Sequence, residues 1–178
     1  DTASADATSR FWDAATGMTI TPALKHPVNV LTAVFDSEGR RLLTMDLFGT
    51  ARQWDIAGVD LPDRFVGEYS NVSCAAFSPD GGRIATGDFD FGARISNATT
   101  SRPTSSLMVH GASVRELVFS SDGKQLATFS EDGYVRVWDA ITGKLRSLLP
   151  KACKEKWDDQ QNRIAFDKDG RLLLTADG

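Results

Sequence analysis

RVWDAITG, at residues 136–143, differs at only two positions from RFWDAATG, at residues 10–17. A related stretch, ARQWD, ends at Asp55, and the tryptophans at 12, 54 and 138 lie 42 and 84 residues apart. The missing member of this series falls at Ser96-Asn97, within ARISN. A fixed period of roughly 20 to 50 residues is the signature of a repeat architecture, so the period of 42 must be interpreted before any single motif.

A second series of motifs has the same period. FDSEG begins at Phe35, FSPDG at Phe77 and FSSDG at Phe119, each 42 residues after the last. A fourth copy, FDKDG at Phe166, comes 47 residues later, which places an insertion of five residues before it. The repeat therefore extends over the whole chain.

Each unit has the pattern of short β-strands joined by tight turns. Apolar segments end at turns containing Asp and Gly, and these residues tolerate the backbone angles of a hairpin. The predicted first strands are Val30–Phe35, Cys74–Phe77, Val114–Phe119 and Arg163–Phe166. The predicted second strands are Arg41–Thr44, Arg83–Thr86, Gln125–Thr128 and Arg171–Thr175. A third strand at Val135–Trp138 and a fourth at Lys144–Leu149 complete a four-stranded antiparallel sheet in about 42 residues.

A lone four-stranded sheet is only marginally stable, and radial stacking of such sheets buries both faces of each. The chain resembles the WD-repeat family of β-propellers. The third unit is the best match, with His110-Gly111 followed by FSSDG, LATFSEDG and VRVWD. The resemblance implies an all-β propeller built from four-stranded antiparallel blades.

The resemblance also implies a hydrogen-bonded tetrad inside each blade. In the third unit that tetrad would be His110, Thr128, Asp132 and Trp138. The other units depart from it. The first keeps His26, Thr44 and Trp54 but has Phe48 in place of the aspartate, and the second keeps Thr86 and Asp90 but has Glu68 and Ser96 in place of histidine and tryptophan. We expect those blades to depend more on apolar packing.

The repeats divide the chain into one propeller unit of four blade-equivalents. Three blades are predicted at residues 26–67, 68–109 and 110–150, and a split blade is assembled from residues 1–25 and 151–178. The N-terminal part supplies third and fourth strands, at residues 5–13 and 18–24, and the C-terminal part supplies first and second strands. Three arrangements stay open: two chains closing an eight-bladed ring, one chain closing a four-bladed ring, or a piece of a longer propeller. We favour the homodimer, because an incomplete sheet leaves unpaired edges.

Composition excludes several classes of function. The 178 residues carry 20 basic and 24 acidic side chains, a net charge of −4, which disfavours nucleic acid as a partner. No apolar run reaches the roughly 18 residues of a membrane-spanning helix, so we expect no membrane partner. The two cysteines, Cys74 and Cys153, have no metal-ligand spacing, and we expect no metal and no cofactor. We expect a cytoplasmic protein, and the ATG and ITG turns have a bacterial-like style.

Nothing in the sequence predicts catalysis. Both histidines, His26 and His110, fall at the repeat position of the tetrad, where a structural role is favoured. Asp90-Phe91-Gly92 is shared with protein kinases, but no glycine-rich loop or catalytic-loop pair accompanies it. The predicted function is a non-catalytic scaffold for a protein or peptide. The alternative is a small-ligand-binding or enzymatic propeller that uses its central channel, where the polar exceptions are Arg115, Glu116, Asn162 and Arg163.

Partner-binding candidates come from the turns between second and third strands. The resemblance implies polar residues at these positions. This chain instead has the apolar residues Leu47, Phe48, Phe89 and Phe91. Exposed aromatic side chains on a rigid surface are good anchors for a partner. The alternative is that Phe48 fills the space of the missing aspartate and packs inward.

Overall fold

The computed structural model describes residues 2–3, 7–56, 64–65, 71–150, 163–171 and 173–176. Within those ranges the chain forms short β-strands and no helix. All the strand pairs are antiparallel. The prediction of an all-β chain of four-stranded antiparallel sheets is confirmed for these residues.

Three complete sheets follow one another along the chain, and each is made from consecutive strands. Blade 1 consists of β4 (Val30–Phe35), β5 (Arg41–Asp46), β6 (Ala51–Asp55) and β7 (Arg64–Phe65). Blade 2 consists of β8 (Val72–Phe77), β9 (Arg83–Asp88), β10 (Gly92–Asn97) and β11 (Met108–Val109). Blade 3 consists of β12 (Val114–Phe119), β13 (Gln125–Ser130), β14 (Val135–Asp139) and β15 (Leu145–Leu148).

Two smaller sheets flank the blades. The N-terminal sheet consists of β1 (Thr2–Ala3), β2 (Thr8–Arg10) and β3 (Leu24–Lys25). The C-terminal hairpin consists of β16 (Arg163–Phe166) and β17 (Leu173–Ala176). The N-terminal sheet has one strand more than predicted, because Thr2 and Ala3 pair with Arg10 and Ser9. Among the described residues of one chain, the two ends form separate sheets.

The apolar core lies between consecutive sheets. Leu43 and Met45 of blade 1 pack with Val72 and Ile84 of blade 2. Similar clusters join the N-terminal sheet to blade 1, blade 2 to blade 3, and blade 3 to the C-terminal hairpin. Each blade therefore buries both of its faces, which a single four-stranded sheet cannot do.

A polar contact also joins consecutive blades and recurs every 42 residues; we call it the inter-blade latch. Arg41 Nη2 donates to the Gly81 carbonyl oxygen at 2.5 Å, and Arg83 Nη2 donates to that of Gly123 at 2.8 Å. Gln125 Nε2 donates to the Gly170 carbonyl oxygen at 3.0 Å. Each donor begins the second strand of one blade, and each acceptor lies in the first turn of the next blade. The latch therefore fixes the first turns of neighbouring blades to one another.

Candidate protein-interaction surface

The turns between second and third strands require a left-handed residue at one repeat position. The φ angles there are 60° at Ala7, 71° at Gly49, 72° at Phe91 and 84° at Gly133. Glycine adopts this conformation without steric cost, whereas a side chain is forced against the backbone. Blade 2 therefore places an aromatic residue where blades 1 and 3 have glycine.

The four apolar residues predicted for these turns lie at the surface. Leu47 is 57% exposed, Phe48 65%, Phe89 39% and Phe91 48%. Phe48 thus points outward, contrary to the alternative in which it packs inward. We call these four side chains the aromatic patch.

Asn71 holds the two turns of the patch against each other. The glycine turn of blade 1 packs on it so closely that a Cβ at Gly49 would lie 2.7 Å from Asn71 Cα. On its other side Asn71 accepts the Phe89 N–H at its carbonyl oxygen, at 3.0 Å. Its side chain donates to Asp90 Oδ2 at 3.2 Å. One residue between the blades therefore positions the backbone of both turns.

Charged groups border the patch on the side of blade 3. The Arg115 guanidinium lies 4.9 Å from the centre of the Phe89 ring, within the range of a cation–π contact. Arg115 Nε donates to Glu131 Oε1 at 2.8 Å, which keeps the guanidinium in this place. Ser113 Oγ donates to the Phe89 carbonyl oxygen at 3.2 Å. Phe89 is therefore held in position, whereas the rings of Phe48 and Phe91 are more open to solvent.

In blade 3 the structure joins three of the four tetrad residues into one chain of hydrogen bonds. Trp138 Nε1 donates to Thr128 Oγ1 at 2.8 Å, and His110 Nε2 lies 2.7 Å from the same oxygen. Burial lowers the pKa of His110 to about 4, and the nearby Arg136 charge lowers it further, so the imidazole is neutral at pH 7. All three side chains are buried.

Asp132, the fourth residue, has other partners. It accepts hydrogen bonds from the backbone N–H groups of Gly111 and Tyr134 and from both terminal nitrogens of Arg136, the shorter at 2.7 Å. Burial alone would raise the pKa of Asp132, but the Arg136 hydrogen bond and the two backbone donors outweigh it and lower the pKa to about 2. The carboxylate therefore fixes the second turn of blade 3.

Blade 1 keeps part of the tetrad with different partners. Trp54 Nε1 donates to Thr44 Oγ1 at 2.8 Å, as in blade 3. His26 lies against the Trp54 ring, with centroids 5.1 Å apart, and its Nε2 lies 3.0 Å from Ser9 Oγ in the N-terminal sheet. The histidine therefore connects two sheets, a role that the repeat position did not reveal.

Asp46 takes over the role of the aspartate that blade 1 lacks. Its Oδ2 accepts a hydrogen bond from Arg52 Nη1 at 2.8 Å, and its Oδ1 accepts the N–H groups of Phe48 and Thr50. Arg52 and Arg136 occupy the same repeat position, 84 residues apart. The sequence signal that could have identified Asp46 was therefore Arg52, which needs a carboxylate partner. Because Asp46 supplies that carboxylate, Phe48 faces solvent.

Blade 2 departs furthest from the tetrad. Thr86 is half-buried, Asp90 is exposed and bonded to Asn71, and Ser96 is buried. Glu68 lies outside the described residues. Of the expected residues of this blade, Asp90 thus contributes to the border of the aromatic patch.

Of the four residues predicted to lie near a central channel, the structure describes the side chains of Arg115 and Glu116, and both have partners in the fold. Arg115 pairs with Glu131, and Glu116 Oε2 accepts the Ile164 N–H at 2.8 Å, which joins blade 3 to the C-terminal hairpin. Asn162 and the side chain of Arg163 lie outside the described part of the chain. Across the described residues no group of three or more His, Cys, Asp or Glu side chains could hold a metal ion, and no helix is long and apolar enough to cross a membrane.

The chain is similar to known proteins in its type of repeat and in its fold. The model of the family described as "WD domain, G-beta repeat" matches residues 61–95 and 101–139, which fall mainly in blades 2 and 3. The crystal structure of the computationally designed Ika8 protein resembles the chain with a TM-score of 0.81 and 20% sequence identity. The likeness covers 98% of this chain and 51% of that one, so the chain spans about half the length of the structure it matches. No curated protein matches the chain.

Proposed function

We propose that this chain, whose residues 61–95 and 101–139 match the WD-repeat family model, is a non-catalytic scaffold that binds a protein or peptide on the aromatic patch. WD repeats commonly serve as rigid platforms for protein–protein interaction, and the fold by itself does not select the partner. The proposal therefore depends on the four side chains of the patch, Leu47, Phe48, Phe89 and Phe91.

The observation that carries the proposal is the conformation of Phe91. A left-handed backbone costs a residue with a side chain about 1–2 kcal/mol relative to glycine, and the sister positions 49 and 133 avoid that cost. The Phe91 ring is 48% exposed, so packing returns only part of the hydrophobic stabilisation that a buried ring would give. A strained backbone that displays an aromatic ring to solvent is typical of a binding site.

The chemistry of the patch favours an apolar peptide segment as the partner. Leu47 and Phe48 on blade 1, with Phe89 and Phe91 on blade 2, can bury an aromatic or aliphatic side chain of the partner. Arg115 and Glu131 at the border form an ion pair, so the rim offers polar contacts without a strong net charge. A segment with one or two apolar anchors flanked by polar residues fits this arrangement.

The test is the variant Phe91→Gly, measured for both binding and stability. We expect peptides selected on the native chain from a random displayed library to bind the variant at least about 10-fold more weakly, because the exposed ring is lost. We expect the free energy of unfolding to stay within about 1 kcal/mol of the native value, because relief of the left-handed strain offsets the lost packing.

The matched control is Ile141→Gly, which removes a side chain that is 67% exposed in the turn between β14 and β15. This variant should keep the affinity for the selected peptides. Unchanged peptide affinity in Phe91→Gly would refute the proposal. A loss of more than about 3 kcal/mol of stability in Phe91→Gly would instead assign the ring to the core.

We also propose that the chain associates with itself through shared blades and so completes an eight-bladed ring. What supports this proposal is that, among the described residues, the N-terminal sheet has three strands and the separate C-terminal hairpin has two, whereas each blade has four. Unpaired strand edges favour pairing with another chain. The solution mass, measured by light scattering, tests this proposal independently of peptide binding.

A further inference from the structure

The C-terminal hairpin exposes a leucine at a repeat position that is buried in every blade. Leu43 of blade 1, Ala85 of blade 2 and Ala127 of blade 3 occupy this position in the second strand. They are 1%, 0% and 0% exposed, because each faces the blade that follows it. Leu174 has the same position in β17 and is 66% exposed. The hairpin therefore presents an apolar face shaped for a following blade.

The N-terminal part of the chain exposes aromatic side chains that are more buried at the equivalent positions of other blades. Trp12 of the N-terminal sheet is 43% exposed, whereas Trp54 and Trp138 are 8% and 6% exposed. Phe35 of blade 1 is 41% exposed, and Phe119, at the same position of blade 3, is 7% exposed. At its repeat position Trp12 would face a blade that precedes the N-terminal sheet. Phe35 faces the N-terminal sheet itself, where its ring centroid lies 5.7 Å from that of Phe11, and the rest of its ring stays exposed.

Contacts inside the chain show how the two faces fit. Leu43 belongs to the same apolar cluster as Phe77 of the following blade, and Ala85 to the same cluster as Phe119. The repeat therefore matches Leu174 with Phe35. Both side chains are exposed, and among the described residues β17 and β2 belong to separate sheets.

The strands β1 and β17 also share two residues at the same repeat position. Thr2-Ala3 in β1 and Thr175-Ala176 in β17 are the same dipeptide at the same repeat position. In β1, Thr2 lies opposite Arg10 and Ala3 opposite Ser9. The equivalent threonines of blades 1 and 3 also lie opposite arginines, namely Arg52 and Arg136. Either strand can thus pair with β2 in one register.

We propose that β17 of one copy replaces β1 beside β2 of a second copy, with Thr175 opposite Arg10 and Leu174 covering Phe35. This inference rests on the proposed self-association and names the strands that form it. The strand β17 offers four residues where β1 offers two, so the exchange also places Leu173 opposite Trp12, as Leu42 lies opposite Trp54. The reciprocal exchange at the other end closes the ring with two-fold symmetry.

The junction between copies lacks the inter-blade latch. The sequence has Leu172 at the position of Arg41, Arg83 and Gln125, and Leu172, which lies outside the described residues, has no side-chain donor. The Gly39 carbonyl oxygen of the second copy would therefore receive no latch hydrogen bond. The exchange depends on strand pairing and apolar contact, which makes it the weakest junction of the ring.

Light scattering coupled to size exclusion tests the association. We expect twice 19.3 kDa for the native chain and an increase of at least about 100-fold in the dimer dissociation constant for Leu174→Asp. Ile141→Asp is the matched control, because Ile141 is 67% exposed and lies outside the proposed junction, and it should stay dimeric. A native mass of 19.3 kDa at 100 µM protein, chosen as roughly a hundred times a micromolar dissociation constant, would overturn the inference.

Crosslinking tests the strand pairing itself. In a background without native cysteines, Thr175→Cys and Arg10→Cys variants should form a mixed disulfide dimer when they are combined under oxidation. Neither variant alone should form it. A dimeric mass without this crosslink would overturn the exchange of β17 while leaving self-association intact. Peptide binding by Phe91 is measured separately, so failure of the exchange and failure of the scaffold proposal are distinguishable.

Discussion

At the scale of single residues, His110 couples the stability of blade 3 to pH. Its ring is 6% exposed and burial lowers its pKa to about 4, while the unfolded chain titrates near 6.5. Between these values the unfolded state binds more protons, so stability is complete above pH 6.5 and falls as the pH drops towards 4. We expect a loss of about 2 kcal/mol between pH 7.5 and pH 4.5, measured by urea unfolding.

The variant His110→Gln isolates this effect, because glutamine keeps a hydrogen-bonding side chain but does not titrate. Its stability should depend less on pH in the same window, whatever its stability at pH 7.5. The lowered pKa of Asp132, about 2, keeps that carboxylate ionised throughout, so its stabilising contribution is lost only at more acid pH. An unchanged slope in His110→Gln would show that another group is responsible.

At the scale of elements, Arg83 connects blade 2 to blade 3. It donates to the carbonyl oxygens of Gly123 and Ala140, at 2.8 and 3.0 Å, and its guanidinium lies 5.6 Å from the centre of the Phe119 ring. We expect Arg83→Ala to lower the free energy of unfolding by about 2 kcal/mol, because two carbonyl groups lose their donor. Chemical denaturation measures the change.

The control for this prediction is Arg146→Ala. Arg146 pairs with Asp139 at 2.5 Å, but its side chain is 47% exposed and the pair lies at the surface. Solvent-exposed ion pairs contribute little, so this variant should have no measurable effect on stability. Equal effects of the two substitutions would contradict the role of the latch.

The sequence predicted the elements that repeat and missed those that depend on contacts between repeats. The first strands Val30–Phe35 and Val114–Phe119 have the predicted bounds, because apolar runs that end at a glycine turn are a local signal. The strand Thr2–Ala3 was missed, since two residues carry no periodicity. The latch of Arg41 was missed because its acceptor, a backbone carbonyl, leaves no trace in the sequence.

The candidate site was predicted to a similar extent. The period placed Leu47 and Phe89 in equivalent turns and so suggested a common surface. It did not reveal that Asp46 replaces the missing aspartate of blade 1, because the substitute stands two residues away from the expected position. Nor did it reveal the left-handed backbone of Phe91, which becomes apparent only beside Gly49 and Gly133 in the structure.

At the scale of the whole molecule, the junctions between sheets differ in strength, and this has a thermal consequence. The three junctions from blade 1 to the C-terminal hairpin combine an apolar cluster with a latch, whereas the proposed junction between copies has Leu172 in place of the latch residue. Folding and association are then linked, because the two-copy ring buries Leu174 and Phe35 only when the copies meet.

The melting temperature of the native chain should therefore rise with protein concentration. For two chains of this length we expect an increase of about 2 °C for each tenfold step in concentration, measured by differential scanning calorimetry. Leu174→Asp should melt at a temperature independent of concentration, since a monomer has no association term, and Ile141→Asp should behave as the native chain does. A concentration-independent melting temperature in the native chain would mean that its exposed ends are not covered by a second copy, and the surface around Leu174 and Phe35 would then need a different occupant.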